Sequence, residues 1–305
     1  MRTLPIALAI SLALSLAHAT DAAPKYRPAA DIVKTSASTE WAPLDPQNTV
    51  VMEVNGHQVI IELAPRFAPA HAANIRALAH EGYWDGLDII RVQDGYVTQW
   101  GDPNDDDKDK AKPLGAAKAH IPAEFSISPK GLPLTKLADP DGWAQESGFV
   151  DGMPVAADPA KDKAWIPHCY GVIGAGRGDA EDSSTGASLY VIIGQPARAL
   201  DLNITVVGRV LQGMEALSAL PRGTGDMGFY EKPEQYVPIK RARLLADIPE
   251  KERPALEMMK TDSASFKEIL ESRRHATNKW FVHSPEFTDV CHVTVPVRTI
   301  GAAKS

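Results

Sequence analysis

The sequence predicts an all-β-dominated chain whose main body is a closed antiparallel barrel. Short strand-like runs recur from Val50 to Leu245 with turn residues between them, and helical periodicity is confined to brief stretches. Asn55-Gly56 separates two extended runs, as the central dipeptide of a two-residue hairpin does. Pro at 24 and Gly at 22 of 305 residues punctuate the chain too often for long helices.

In chain order, Met1-Arg2-Thr3 followed by the apolar run Leu4–Leu16 and Ala17-His18-Ala19 has the charged, apolar and small-residue parts of a secretory signal peptide. The run is too short to span a bilayer, so residues 1–19 are expected to be cleaved after Ala19 and the mature chain to be periplasmic. Residues 20–47 lack a period and read as an N-terminal arm. Val50–Val54 and His57–Leu63 are the first hairpin, and Ala70–Glu81 carries one apolar helical face with Pro69 in its first turn. Ile89–Val92 and Tyr96–Trp100 are strands. Residues 104–118 are a charged loop; its opening resembles a calcium loop, but Asp107 occupies the glycine position and Pro113 the closing glutamate position.

Residues 126–167, crowded with Pro, Gly, Asp and Lys, read as a long loop insertion. Trp143, Phe149 and Trp165 within it either anchor it to its own barrel or face a docking partner. Tyr170–Gly174, Ser188–Gly194, Thr205–Val210 and Val237–Leu245 complete the strands, with a short helix at Met214–Leu217. The barrel is thus expected over 48–247. Residues 248–305 form an extension packed on it, with a helix from Pro254 to Lys260, a second capped by Ser265 and Glu268, and a final edge strand from Val290 to Ile300.

A net charge of −7 argues against a nucleic-acid partner, and no later segment could insert stably in a membrane. Gly-x-Ser-x-Gly and His-Glu-x-x-His are absent, and Gly174–Gly178 runs into Asp179-Ala180-Glu181-Asp182, which would repel a pyrophosphate. The two cysteines, Cys169 and Cys291, leave three states open: a disulfide, two buried thiols, or a Cys2His2 metal site with the adjacent His168 and His292. The disulfide is the expectation, fastening the extension to the barrel edge. No metal or cofactor is expected.

The order of segments Gly82–Gly86, Ile89–Val92, Gly95–Asp102, Ile121–Phe125, Gly171–Gly176, Gly186–Tyr190, Leu200-Asp201 and Val206–Val210 resembles the cyclophilin family of peptidyl-prolyl isomerases, particularly its exported bacterial members. The resemblance implies an eight-stranded antiparallel barrel capped by two helices, with the active groove on its outside. It implies a catalytic set of Arg91, Gln99, which orients the arginine, and Tyr96, with Tyr96 and Val97 lining the pocket. Gly176 and Arg177 fall at backbone-binding positions, Ser188 at a second glutamine, Tyr190 at the aromatic pocket floor and Leu200 beside it. Ala199 stands where many members have the tryptophan that governs drug binding, which argues against cyclosporin sensitivity, and Ile204 replaces a common histidine. The implied substrates are proline-containing polypeptides, unfolded or partly folded and exported. The alternative is a non-catalytic peptide-binding or chaperone module using the same groove, because Ser188, Arg177 and Ile204 alter its walls.

Overall fold

The computed structural model describes residues 26–278 and 280–301, so the expected signal peptide lies outside the described residues. In chain order the strands are β1 (Trp41–Pro43), β2 (Thr49–Val54), β3 (His57–Leu63), β4 (Asp88–Gln93), β5 (Val97–Gly101), β6 (Thr135–Lys136), β7 (Glu146–Val150) and β8 (Met153–Asp158). There follow β9 (Lys163–Trp165), β10 (Val172–Ala175), β11 (Leu189–Ile192), β12 (Val206–Gln212), β13 (Val237–Leu244), β14 (Leu256–Met259) and β15 (Val297–Thr299). The α-helices are α1 (Ala29–Thr35), α2 (Pro69–His80), α3 (Met214–Ser218) and α4 (Ala264–Arg274).

Eight strands close into one antiparallel barrel in the order β10-β11-β5-β4-β13-β2-β3-β12. Alternation sends Val50, Met52, Ile61, Leu63, Trp100, Ile173 and Val207 inward, where they leave a void of only about 10 Å³. Filled by side chains, the interior has no room for a ligand, so any site must lie outside. Helices α2 and α3 pack on this core through Ile75, Leu78 and Leu217. The first turn of α2 is secured by Glu124, whose carboxylate accepts from the Ala70 and His71 backbone N–H groups at 2.9 and 3.0 Å. The segment Ile121–Phe125 therefore satisfies donors that the helix cannot pair internally.

The insertion is a sheet rather than a loop. β6-β7-β8-β9 is a four-stranded antiparallel sheet, and β7 turns into β8 through Asp151 and Gly152, both at positive φ. Its strands were hidden because β8 is buried at every position, and Gly148, Pro154, Ala156 and Ala157 have neither alternation nor strand propensity. Phe149 is buried in a second core with Phe67, Val172 and Val206 of the barrel's outer side and Phe266 of α4, while Trp165 is buried with its indole N–H donating to Asp201. Trp143, by contrast, is 59% exposed, with the Arg198 guanidinium 5.7 Å from its ring centre.

The C-terminal expectations need three corrections. Leu256–Met259 is a strand, not a helix opened by Pro254; β14 takes β1 of the N-terminal arm on one side and β15 on the other. The cap of α4 is Ser263, whose side chain accepts from Phe266 N, while Ser265 donates to Glu40 at 2.6 Å. The last strand is only Val297–Thr299 and edges this small sheet rather than the barrel, which is closed and offers no edge. Arm and extension cover the outer sides of β2 and β3, where Val51 and Ile60 pack on Leu44, Leu245 and Leu256. Cys169 and Cys291 are joined as a disulfide, Cα–Cα 4.9 Å, tying the approach to β10 to the extension. No group of three or more His, Cys, Asp or Glu among the described residues could hold a metal ion.

Candidate active site

A row of residues crosses four barrel strands on the outer surface. Tyr190 opposes Gln99 between β11 and β5, Gln99 opposes Arg91 between β5 and β4, and Gly174 opposes Tyr190 from β10. Strict alternation would aim Arg91 inward, because Ile89 is already in the core. A register shift between Ile89 and Arg91 inserts one residue, so Ile90 and Arg91 both face out of the barrel while Val92 returns to the core. This is the re-aiming of a side chain that a β-bulge performs.

The guanidinium is held on several sides. Nε donates to the Met227 carbonyl at 2.7 Å, one Nη to Gln99 Oε1 at 3.2 Å, and the other to Gln93 Oε1 at 2.5 Å. Phe229 and Tyr96 flank it, with ring centres 5.2 and 5.7 Å from Cζ. Gln99 is itself oriented, since its amide donates to Ser188 Oγ at 3.1 Å. Desolvation lowers the Arg91 pKa from its ordinary value, yet an arginine remains charged in a protein. Three of its five N–H groups are taken, which leaves two for a ligand.

Beside this cation lies an apolar cluster of Val97, Tyr190 and Ile192, with Tyr96, Ala197, Leu200 and Ile204 packed on it. All nine residues expected in the groove line one open cavity of about 940 Å³: Arg91, Tyr96, Val97, Gln99, Gly176, Arg177, Ser188, Tyr190 and Leu200. Arg177 is folded back, donating to the carbonyls of Asn203, Gly178 and Asp179 at 3.0, 2.7 and 3.2 Å. The far wall, from Thr185 to Ser188, is pinned from the core by Trp84, whose indole N–H donates to the Ala187 carbonyl at 2.8 Å.

Sequence reasoning missed Met227, Phe229 and Gln93, and gave His168 and Asp201 no role at the groove. The first two sit in the loop before β13 and reach Arg91 only because that loop runs along β4: Gly223 N donates to Val92 O, and Tyr230 N to Ile90 O. The fit is close, for a Cβ on Gly228, at φ +80°, would come within 2.6 Å of Gln93 Cα. Only the run Gly223-Thr224-Gly225-Asp226-Met227-Gly228 hinted at so tight an approach.

A cation held on the outside of a filled eight-stranded barrel, next to a small apolar pocket, defines a peptide groove of the isomerase kind. Residues 49–244 match the family described as cyclophilin type peptidyl-prolyl cis-trans isomerase/CLD, and the chain belongs to that family. It is similar to a protein of Brucella suis described as a probable peptidyl-prolyl cis-trans isomerase, at 27% identity over 194 residues, 63% of this chain and 82% of that one. A Synechocystis protein described as a thylakoid lumen peptidyl-prolyl cis-trans isomerase is 25% identical over 181 residues, 57% of this chain and 44% of the relative. Among solved structures, cyclophilin AquaCyp293 from Hirschia baltica superposes with a TM-score of 0.67 at 27% identity. That match covers 85% of this chain and 92% of the other, a span wider than the barrel segment.

Proposed function

We propose that this chain catalyses cis/trans rotation of X–Pro bonds in exported polypeptides, with Arg91 as the catalytic residue. The observation that carries the reading is the pairing of Arg91, fixed by Gln93, Gln99 and Met227, with the apolar cluster of Val97, Tyr190 and Leu200. The reaction breaks no bond. Its barrier, ~18–20 kcal/mol for an ordinary peptide, is the amide resonance lost on twisting. As resonance is lost the prolyl nitrogen becomes pyramidal and basic, so a free Arg91 N–H donates to it more strongly than in the planar state. This is preferential binding of the transition state with a preorganised donor. The pocket holds the ring while the preceding carbonyl turns.

Export is supported by the signal-peptide pattern of residues 1–19, by the lumenal description of the Synechocystis relative, and by a disulfide, which suits an oxidising compartment. A protease-coupled assay on a short Ala-Pro peptide tests the activity; acceleration by the wild type and its loss in Arg91→Ala, with the fold retained, is the expected outcome. N-terminal sequencing of the exported chain should begin at Thr20. A second reading, a module that holds peptides without accelerating rotation, draws on Ser188 and on the engaged Arg177 guanidinium. Peptide binding with no rate enhancement would favour it.

A further inference from the structure

Behind the pocket runs a buried polar chain with no part in the rotation as described. The Tyr190 hydroxyl is 3.0 Å from Nε2 of His168, a residue with no exposed surface. Nδ1 of His168 is 3.1 Å from Oδ1 of Asp201. The same carboxylate accepts from the His168 backbone N–H at 3.0 Å, from Trp165 Nε1 at 2.9 Å and from Arg198 Nε at 2.7 Å. Arg198 donates through both Nη atoms to Asp141 at 3.0 and 3.1 Å. The path thus begins at Asp141 in the insertion and ends at the aromatic floor of the groove.

The protons follow from the partners. Burial opposes the charged form of Asp201, but hydrogen bonds from His168 and Trp165 and the charge of Arg198 outweigh it, holding the carboxyl below its ordinary value. A carboxylate only accepts, so Nδ1 of His168 carries the hydrogen. Burial pushes the Tyr190 hydroxyl far above the usual phenol range, so it keeps its proton and has Nε2 as acceptor. On its other side the ring lies across bare backbone: a Cβ on Gly174 would stand 2.3 Å from Tyr190 Cζ and Oη. With its hydroxyl turned inward and paired, Tyr190 offers the groove an apolar ring, and no polar group is stripped of water when a prolyl ring settles there.

We propose that His168 is a positioning residue for the proline pocket, and that the insertion, through Asp141, Arg198 and Asp201, fixes the Tyr190 ring as its floor and so sets affinity for the prolyl ring. The proposal rests on the groove being the X–Pro site. Its test is the Kd of succinyl-Ala-Ala-Pro-Phe amide, measured by NMR titration of wild type, His168→Gln, Asp141→Asn and Tyr190→Phe, alone and in pairs. The single changes at His168 and Asp141 should weaken binding, by about tenfold at His168 (~1.4 kcal/mol, within the range for one buried hydrogen bond). The loss should fall on KM rather than kcat, since a floor contact serves ground and transition states alike. In the Tyr190→Phe background, with no hydroxyl to hold, the same changes should add nothing.

Losses that persist in full in that background, or unchanged affinity in both single variants, would overturn the proposal. A second readout needs neither substrate nor activity. Ring-nitrogen NMR of the wild type should show hydrogen on Nδ1 of His168 and an Nε2 signal that moves in Tyr190→Phe; hydrogen on Nε2 and no movement would overturn the chain. A wild type that binds the peptide without accelerating rotation would sink the catalytic reading alone, because the affinities still decide the role of His168.

Discussion

Arg91 and Gln99 face each other across the bulged pair β4 and β5, the arginine donating to the glutamine Oε1 at 3.2 Å while the glutamine amide donates to Ser188. The cation is therefore aimed by a residue that is itself aimed. Arg91→Ala should lower kcat/KM by about 10²-fold or more, the usual effect of removing one preorganised donor. Gln99→Ala leaves the cation but frees it, and should cost about tenfold, chiefly in kcat. Steady-state kinetics on an Ala-Pro peptide check both; equal activity in Arg91→Ala would remove the arginine from the mechanism.

Phe229 tests the loop that reasoning from sequence passed over. Its ring centre is 5.2 Å from the Arg91 Cζ, and the pair forms an isolated bridge beside β4. Phe229→Ala should reduce kcat/KM by about threefold, the size of one partly exposed cation–π contact of ~0.5–1 kcal/mol. Phe229→Tyr should restore it, since either ring presents a π face. Full activity in the alanine variant would limit the aromatic to lining the groove.

What the sequence made legible follows the physics of each segment. The Asn55-Gly56 hairpin and the amphipathic α2 carry signals local to a few residues, and both stand where those signals placed them. The nine groove residues were reached through motif order. Periodicity alone would have pointed Arg91 into the core, since the bulge that turns it out leaves no mark in composition. The sheet of the insertion was illegible because its strand β8 is buried at every position and is rich in small residues. Helix at Leu256–Met259 was the local reading; pairing with β1 and β15 decided for strand. Phe229 and His168 act through contacts distant in sequence, which no local pattern encodes.

Asp201 gives the fold an acid-sensitive point. Its carboxyl lies below its ordinary value in the folded chain, so the stability it contributes is fully present above the unfolded value of about 3.9 and is lost as pH falls toward the folded one. The wild type should therefore exceed Asp201→Asn in Tm at neutral pH, and the gap should narrow below about pH 4. Thermal melts of both proteins between about pH 7 and pH 3 measure it. A gap that stays constant, or widens with acid, contradicts the sign.

The disulfide joins the chain just before β10 to the extension, between residues 122 apart in sequence. On the loop-closure model a cross-link over that length raises the free energy of the unfolded chain by about 4–5 kcal/mol. Cys169 lies in the second core with Phe149, Val172 and Phe266, and although it follows His168, neither cysteine lines the groove. Reduction, or the pair Cys169→Ser and Cys291→Ser, should therefore lower the denaturation midpoint far more than isomerase activity measured well below the melt. The bond is checked first by intact mass after alkylation in denaturant. No added alkyl groups before reduction and two after mark a disulfide in a monomer, whereas two before reduction mark free thiols and remove the proposed cross-link. Were the bond present and its loss without effect on stability, the second core alone would hold the extension, through Phe266, Ile269 and Val290.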